Sequence, residues 1–122
     1  MTRSTQEVFD DHLARSDEGS WERDLAKNYA TDVVVLTGFG IFRGRDGMRE
    51  CTRQLQEELP DVTFEYRTRV VEGEFAFLEW TADSPRAEVR DGADSYVARD
   101  GRIVAQTIHY TVEPKSSSVD EV

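Results

Sequence analysis

Apolar residues in the first half of the chain recur at the spacing of amphipathic helices. A first helix is predicted for residues 5–16, whose inward stripe consists of Val8, Phe9, His12 and Leu13. Ser20 is placed to cap a second, short helix with Trp21, Leu25 and Tyr29 on one face. Asp46 is placed to cap a third helix that ends at Pro60. Its inward positions are Met48, Cys51, Leu55 and Leu59.

The remaining segments have the pattern of β-strands. Residues 33–37 are apolar and mostly β-branched, which predicts a strand covered on both sides, and residues 41–43 add a short strand after a glycine turn. Alternation over residues 62–70 turns Phe64, Tyr66, Thr68 and Val70 to one face, and leaves Arg67 and Arg69 on a salt-bridged outer face. Further strands are predicted for residues 75–83, 93–98 and 102–113, with a polar loop over residues 84–92. This order predicts an α+β domain in which three helices pack on one face of a curved, mainly antiparallel sheet.

Composition narrows the class of protein. The 122 residues allow one domain, placed at residues 1–113, followed by a flexible tail over residues 114–122. The net charge of −10 repels a phosphate backbone and an anionic membrane, so neither nucleic acid nor membrane is expected as a partner. No apolar signal core or membrane-spanning stretch is present, and we expect a cytoplasmic protein. With one cysteine, Cys51, and two distant histidines, we predict no metal site and no cofactor.

Three stretches resemble the nuclear transport factor 2-like superfamily and its SnoaL-like branch. They are Tyr-Ala-Thr-Asp-Val at residues 29–33, Gly-Arg-Asp-Gly at residues 44–47, and residues 94–104. The likeness runs from about Thr5 to Glu113. It implies a cone-shaped fold with a pocket for a small apolar or amphipathic molecule, and a homodimer formed through the outer sheet face. Members include isomerases, cyclases, dehydratases and binding modules, so the fold does not select a reaction.

The resemblance also implies candidate catalytic residues. When this chain is aligned with the ketosteroid isomerases, His12 occupies the position of their oxyanion tyrosine, Asp94 that of their protonated aspartate and Thr37 that of their catalytic base. Thr37 is not a carboxylate, so steroid isomerisation is not supported. The Asp-Arg-Asp arrangement of limonene epoxide hydrolases is absent, since Thr81 and Ile108 stand at two of its positions. A looser resemblance to polyketide cyclases implies His12 and Asp94 as a proton-handling pair. The alternative is structural: His12 bonds a buried partner, and Asp94 stabilises a strand edge or turn.

The register of the last hairpin decides which residues join Asp94. A two-residue turn places Asp94 opposite Thr107 and on the face of His109 and Thr111, whereas a three-residue turn over residues 99–101 places it opposite Gln106. The three-residue turn is favoured because it turns the more apolar set inward: Val104, Ile108, Tyr110 and Val112. Glu79 joins the site only if its strand turns it inward. The predicted binding residues are Trp21, Tyr29, Trp80, Gln106, Ile108 and Tyr110.

Overall fold

Three helices and seven strands make up residues 2–115, the part of the chain that the computed structural model describes. The helices are α1 (Thr5–Asp17), α2 (Trp21–Asn28) and α3 (Gly44–Glu58). The strands are β1 (Tyr29–Thr37), β2 (Gly40–Arg43), β3 (Thr63–Glu72), β4 (Phe75–Asp83), β5 (Ala87–Arg99), β6 (Arg102–His109) and β7 (Glu113–Pro114). The predicted fold class is confirmed. The elements follow the predicted order up to β6, but the strand predicted for residues 102–113 ends at His109 and is followed by β7, which was not predicted.

The strands form one mixed, curved sheet in the order β2-β1-β6-β5-β4-β3, with β7 paired to β5. Only the β1–β6 pair is parallel among these neighbours. The helices cover the inner face, where α1 contributes Val8, Phe9 and Leu13 to a core that includes Leu78 and Trp80 of β4. No helix within residues 2–115 is long and apolar enough to cross a membrane.

Helix starts follow local capping chemistry in one case and not in two others. Ser4 and Glu7 form a capping box at α1, in which the Glu7 amide donates to Ser4 Oγ (3.1 Å) and the Ser4 amide donates to Glu7 Oε1 (2.8 Å). Ser20 precedes α2 as predicted, but its side chain makes no capping bond. The prediction that Asp46 caps α3 is wrong, because the helix already begins at Gly44 and the Asp46 carboxylate bonds Arg49 instead.

The structure corrects the predicted faces of two strands. β1 was predicted to be covered on both sides, but it is covered on one side only: Val33 and Val35 are fully buried, whereas Leu36 is 47% exposed. In β3 the register shifts after Tyr66, so that Arg69 pairs with inward Leu78 and Val70 pairs with outward Phe77. The extra residue reverses the alternation, which moves Thr68 and Val70 to the outer face and Arg69 to the inner one.

The polar loop predicted for residues 84–92 is mostly strand. β5 begins at Ala87, which is buried with Val89, and only residues 84–86 connect it to β4. The Ser84 amide closes this turn on the Ala87 carbonyl (2.9 Å). At the other end of the chain, Pro114 pairs with Ala87 in β7, and the rest of the predicted tail, residues 116–122, lies outside the described residues.

The last hairpin has the two-residue turn that was not favoured. Asp100 and Gly101 both have positive φ (52° and 75°), and Arg99 pairs with Arg102. A register shift in β6 then adds one residue, Val104, so that Asp94 lies opposite Ile108 and not Gln106 or Thr107. Because of this bulge, Gln106 and Ile108 lie on the same face of the sheet as Asp94, as they would have done with a three-residue turn. Gln106 is therefore inward, and Thr107 and His109 are exposed, as predicted.

Candidate functional site

A cavity of about 70 Å³ lies between the three helices and the inner face of the sheet. Two aromatic side chains, Phe39 and Phe42, border it near the β1–β2 turn. Six more form the rest of its aromatic wall: Trp21, Phe64, Tyr66, Trp80, Tyr96 and Tyr110. Among the residues of the described chain that line the cavity, none is a lysine or arginine. The wall of the cavity is therefore mainly aromatic and apolar, and its described residues carry no lysine or arginine charge.

Asp94 forms the polar end of this cavity. It stands on β5 with 8% exposure, and its carboxylate accepts hydrogen bonds from Trp80 Nε1 (2.9 Å), the Tyr96 hydroxyl (3.1 Å) and Gln106 Nε2 (3.1 Å). Burial raises the pKa of Asp94, although these hydrogen bonds and neighbouring His12 oppose the rise. The result is a desolvated, firmly oriented carboxyl group.

His12 reaches the same end of the cavity from α1. Its Nδ1 lies 2.8 Å from Asp24 Oδ2 on α2, and its Nε2 lies 3.2 Å from the Tyr96 hydroxyl. Asp24 is 3% exposed, and its second oxygen accepts a hydrogen bond from Asn28 Nδ2 (2.8 Å). A carboxylate has no hydrogen to give, so Asp24 fixes the Nδ1–H tautomer and leaves Nε2 facing Tyr96.

The structure brings most of the predicted site residues together. His12 and Asp94 border the cavity, and so do five of the predicted binding residues: Trp21, Trp80, Gln106, Ile108 and Tyr110. Tyr29 does not line it. This side chain is 1% exposed and lies behind Gln106, where its hydroxyl donates to Gln106 Oε1 (2.5 Å). Glu79 and His109 are exposed on the outer face of the sheet.

Two functional candidates were missed from the sequence. Asp24 lies three residues after Trp21 and is therefore on the inward side of α2, a position that could have marked it as a buried acid. Tyr96 lies two residues after Asp94 on one strand, so both side chains share a face. That spacing was the available signal for a contact between them.

A second cleft, between α2 and α3, is also bordered by His12. Asp24, Tyr29 and His12 line it, and a two-point ion pair joins Arg49 to Glu22 across the two helices (2.8 and 3.1 Å). His12 therefore lines both this cleft and the cavity. Within residues 2–115, no three His, Cys, Asp or Glu side chains converge as a metal site would require.

The chain has an α+β fold of the nuclear transport factor 2-like kind, with a cavity between its helices and its sheet. The chain belongs to the SnoaL-like domain family, whose model matches residues 9–106. No curated protein sequence matches it significantly.

Solved structures share the fold at low sequence identity. An NTF-2 like protein of unknown function from Burkholderia xenovorans LB400 is 16% identical, with a TM-score of 0.73 over 93% of this chain and 86% of the other. TerC, co-crystallised with polyporic acid, is 18% identical, with a TM-score of 0.72 over 88% and 91%. A SnoaL-like protein from Mesorhizobium loti, provisionally assigned as a polyketide cyclase, is 16% identical, with a TM-score of 0.69 over 88% and 100%. At these identities the likeness shows the fold alone.

Proposed function

We propose that this protein binds a small, partly apolar molecule in the aromatic cavity and transfers a proton on it without a cofactor. His12 and Asp94 are the proton-handling groups. The observation that carries the proposal is that both groups border one cavity and contact the same hydroxyl, that of Tyr96. An isomerase, cyclase or dehydratase reaction of an enolisable carbonyl compound fits this arrangement.

The chemistry follows from how Asp94 is held. Desolvation makes its carboxylate a stronger base than an exposed aspartate, and Trp80 and Gln106 fix its orientation toward the cavity. A carbon-bound proton passes to a carboxylate oxygen of Asp94, and the same oxygen returns it to another atom of the substrate. His12, when protonated, stabilises the negative charge of the enolate between the two transfers.

Ligand entry requires the cavity to widen. Its volume of about 70 Å³ is below the roughly 300 Å³ at which drug-sized ligand pockets begin. Phe39 is 60% exposed and packs against Tyr110 at the rim, with ring centroids 6.1 Å apart. Movement of these two rings would open the side of the cavity that faces the β1–β2 turn.

The single cysteine provides a direct test of binding. Cys51 lines the cavity, so a bound molecule should slow its alkylation by iodoacetamide. The probe for this measurement is α-tetralone, an apolar aromatic ketone with exchangeable α-hydrogens.

Proton transfer is tested by deuterium incorporation into α-tetralone in heavy water, followed by mass spectrometry. Wild type should accelerate the exchange, and Asp94→Asn should lower the rate by about 10²-fold or more. His109→Gln is the matched control, because His109 is exposed on the outer face. If α-tetralone protects Cys51 but exchanges at the uncatalysed rate, the acid–base proposal is refuted.

That last outcome would favour a non-catalytic binding module. One observation supports this second candidate: within the described chain, every buried side-chain nitrogen and oxygen already has a hydrogen-bond partner. His12 and Asp94 are thus satisfied without a ligand, as a purely structural cluster would be.

We also propose that the outer sheet face forms a homodimer. One cross-strand row on this face is apolar at both ends and polar in the middle, and it consists of Ile41, Leu36, Thr107, Ser95, Phe77 and Val70. Phe75 beside it is 63% exposed. Sedimentation should give a dimer that Phe75→Ser/Phe77→Ser dissociates, whereas Phe39→Ser, at the cavity rim, should leave it intact. A wild-type monomer at micromolar concentration would contradict the interface.

A further inference from the structure

Four polar side chains follow one another in a buried row at the end of the cavity. Asp24 Oδ2 lies 2.8 Å from His12 Nδ1, His12 Nε2 lies 3.2 Å from the Tyr96 hydroxyl, and that hydroxyl lies 3.1 Å from Asp94 Oδ2. All four side chains belong to residues that are at most 8% exposed. Tyr96 therefore joins the two proton-handling groups of the proposed function, although they make no direct hydrogen bond to each other in the described structure.

The hydroxyl of Tyr96 carries one hydrogen and cannot donate it in both directions. If Tyr96 donates to Asp94, then His12 Nε2 must carry a hydrogen and donate it to the Tyr96 oxygen. This arrangement is an imidazolium with a carboxylate. If Tyr96 donates to His12 Nε2, the contact with Asp94 is satisfied only when Asp94 carries a hydrogen and donates it to the Tyr96 oxygen. This second arrangement is a neutral imidazole with a carboxylic acid.

Other proton counts leave one contact of the row without a hydrogen bond. Without the extra proton, Tyr96 can donate to only one neighbour: either His12 Nε2 has no donor, or the Tyr96 oxygen faces Asp94 Oδ2 at 3.1 Å with no hydrogen between them, although Trp80 and Gln106 still bond Asp94. With one proton too many, both neighbours donate to Tyr96 and its own hydrogen has no acceptor in the row. Because each of these states lacks a buried hydrogen bond, the row favours a single extra proton.

We propose that His12 and Asp94 share one proton through the Tyr96 hydroxyl, so that Asp94 alternates between carboxylate and carboxylic acid without exchanging a proton with solvent. In this step the His12 Nε2–H bond breaks and its proton bonds to the Tyr96 oxygen. At the same time the Tyr96 O–H bond breaks and its proton bonds to Asp94 Oδ2. The positive charge on His12 and the negative charge on Asp94 disappear together, and no proton enters or leaves.

The surroundings balance the two arrangements against each other. Burial raises the pKa of Asp94 and favours the carboxylic acid, whereas the carboxylate of Asp24 beside Nδ1 favours the imidazolium. Burial, followed by the charge of Asp94, also raises the pKa of Tyr96 well above its ordinary value, which makes a free phenolate unfavourable and requires the two protons to move together. The other titratable groups near the row are Tyr29, Cys51, Tyr66 and Tyr110.

This relay deepens the proposed function, because it offers a bound molecule either a base or an acid at the same atom. It does not depend on catalysis for its test. NMR of ¹⁵N-labelled histidine and ¹³C-labelled aspartate, followed over pH in the protein without ligand, reports protonation at His12 and Asp94 directly. Failure of the α-tetralone experiment would therefore leave this measurement intact.

In wild type, the His12 and Asp94 signals should change together, with both pH steps visible at both nuclei. Tyr96→Phe should abolish the shared steps and leave one step at each nucleus. Tyr66→Phe is the matched control, because Tyr66 lines the same cavity but lies outside the row, and it should retain the shared steps. Independent single steps in wild type, shared steps that survive Tyr96→Phe, or their loss in Tyr66→Phe would each overturn the relay.

A second variant covers the case in which Tyr96→Phe does not fold. In Asp94→Asn the side chain at position 94 carries no titratable proton, so His12 has no group with which to share one. The His12 signals should then show a single pH step in place of the two shared steps. Two steps at His12 in Asp94→Asn, like those of wild type, would refute the proposed coupling.

Discussion

Gly92 explains how the indole of Trp80 reaches Asp94, and it supports a sharp prediction. Gly92 on β5 pairs with Trp80 on β4, and it has no side chain to separate the ring from the backbone. A Cβ at position 92 would lie within 2.7 Å of Trp80 Cε3 and closer still to Cδ2 and Cε2. Gly92→Ala must therefore displace the indole, whose Nε1 donates to Asp94 Oδ1 at 2.9 Å.

The expected loss of stability has two parts. Forcing an extra methyl group into a packed core costs about 1–3 kcal/mol. Displacing the indole also removes a buried hydrogen-bond donor from Asp94, which costs about 1–3 kcal/mol more. Together they predict a loss of roughly 2–6 kcal/mol, a large part of the roughly 5–15 kcal/mol that stabilises a typical domain.

Urea denaturation followed by far-ultraviolet circular dichroism measures this loss directly. Gly38→Ala is the matched control: no atom lies within 4 Å of its added Cβ, and its φ is not positive, so its stability should be unchanged or slightly raised. The cost of Gly92→Ala should also shrink in a Trp80→Phe background, where the ring is smaller. A loss below about 0.5 kcal/mol, or an undiminished loss in that background, would refute the steric argument.

Three further predictions concern single groups. Because burial raises the pKa of Asp94 in the folded protein, the wild type should lose stability relative to Asp94→Asn as the pH rises from about 4 to above that raised pKa. Urea denaturation at several pH values measures this difference, and a constant difference would show that the pKa of Asp94 is not raised. Ser4→Ala should cost about 0.5–2 kcal/mol in the same assay, whereas Ser20→Ala, whose hydroxyl caps nothing, should cost less. Burial raises the pKa of Cys51 to about 11, so its alkylation rate should still climb about tenfold per pH unit beyond 8.5, where an ordinary thiol levels off.

The helices and strands were predictable because burial imposes their periods on the sequence. Val8, Phe9 and Leu13 on α1 are all buried at the spacing that predicted the helix. The fold class and the inward positions of His12 and Asp94 followed from the same patterns together with the family resemblance. Local periodicity is thus sufficient wherever an element is regular.

Irregular strands limited the prediction, because a bulge depends on the neighbouring strand and leaves little trace in its own residues. The bulge in β3 moved Val70 outward and Arg69 inward, where its guanidinium lies 5.4 Å from the centroid of the Tyr66 ring. The bulge at Val104 had the opposite consequence, since it preserved the predicted inner face despite a wrong turn length. The alternation of apolar and polar residues alone cannot distinguish a hairpin with two compensating irregularities from a regular hairpin.

The partners of His12 were hidden for a different reason. Asp24 and Tyr96 lie 12 and 84 residues away along the chain, and only packing of α2 and β5 against α1 brings them to the two ring nitrogens. Helical spacing could place Asp24 on an inward face, but it could not state which group the carboxylate would meet. Specific hydrogen bonds are properties of the assembled layers, not of any one element.

The composition of the polar cluster bears on whether its role is structural or chemical. Trp80 donates to Asp94 Oδ1 and Gln106 donates to Oδ2, so a carboxyl group accepts both bonds, whereas an amide has one acceptor oxygen and would leave one donor without a partner. A buried acid also makes stability depend on pH, because its charged form is poorly solvated. Beside Tyr96 and at the edge of a cavity, the acid thus supplies a second acceptor oxygen and a titratable proton. Asp94→Asn should cost about 1–3 kcal/mol for the lost bond and still fold, while it removes proton transfer; a purely structural cluster would show the first effect without the second.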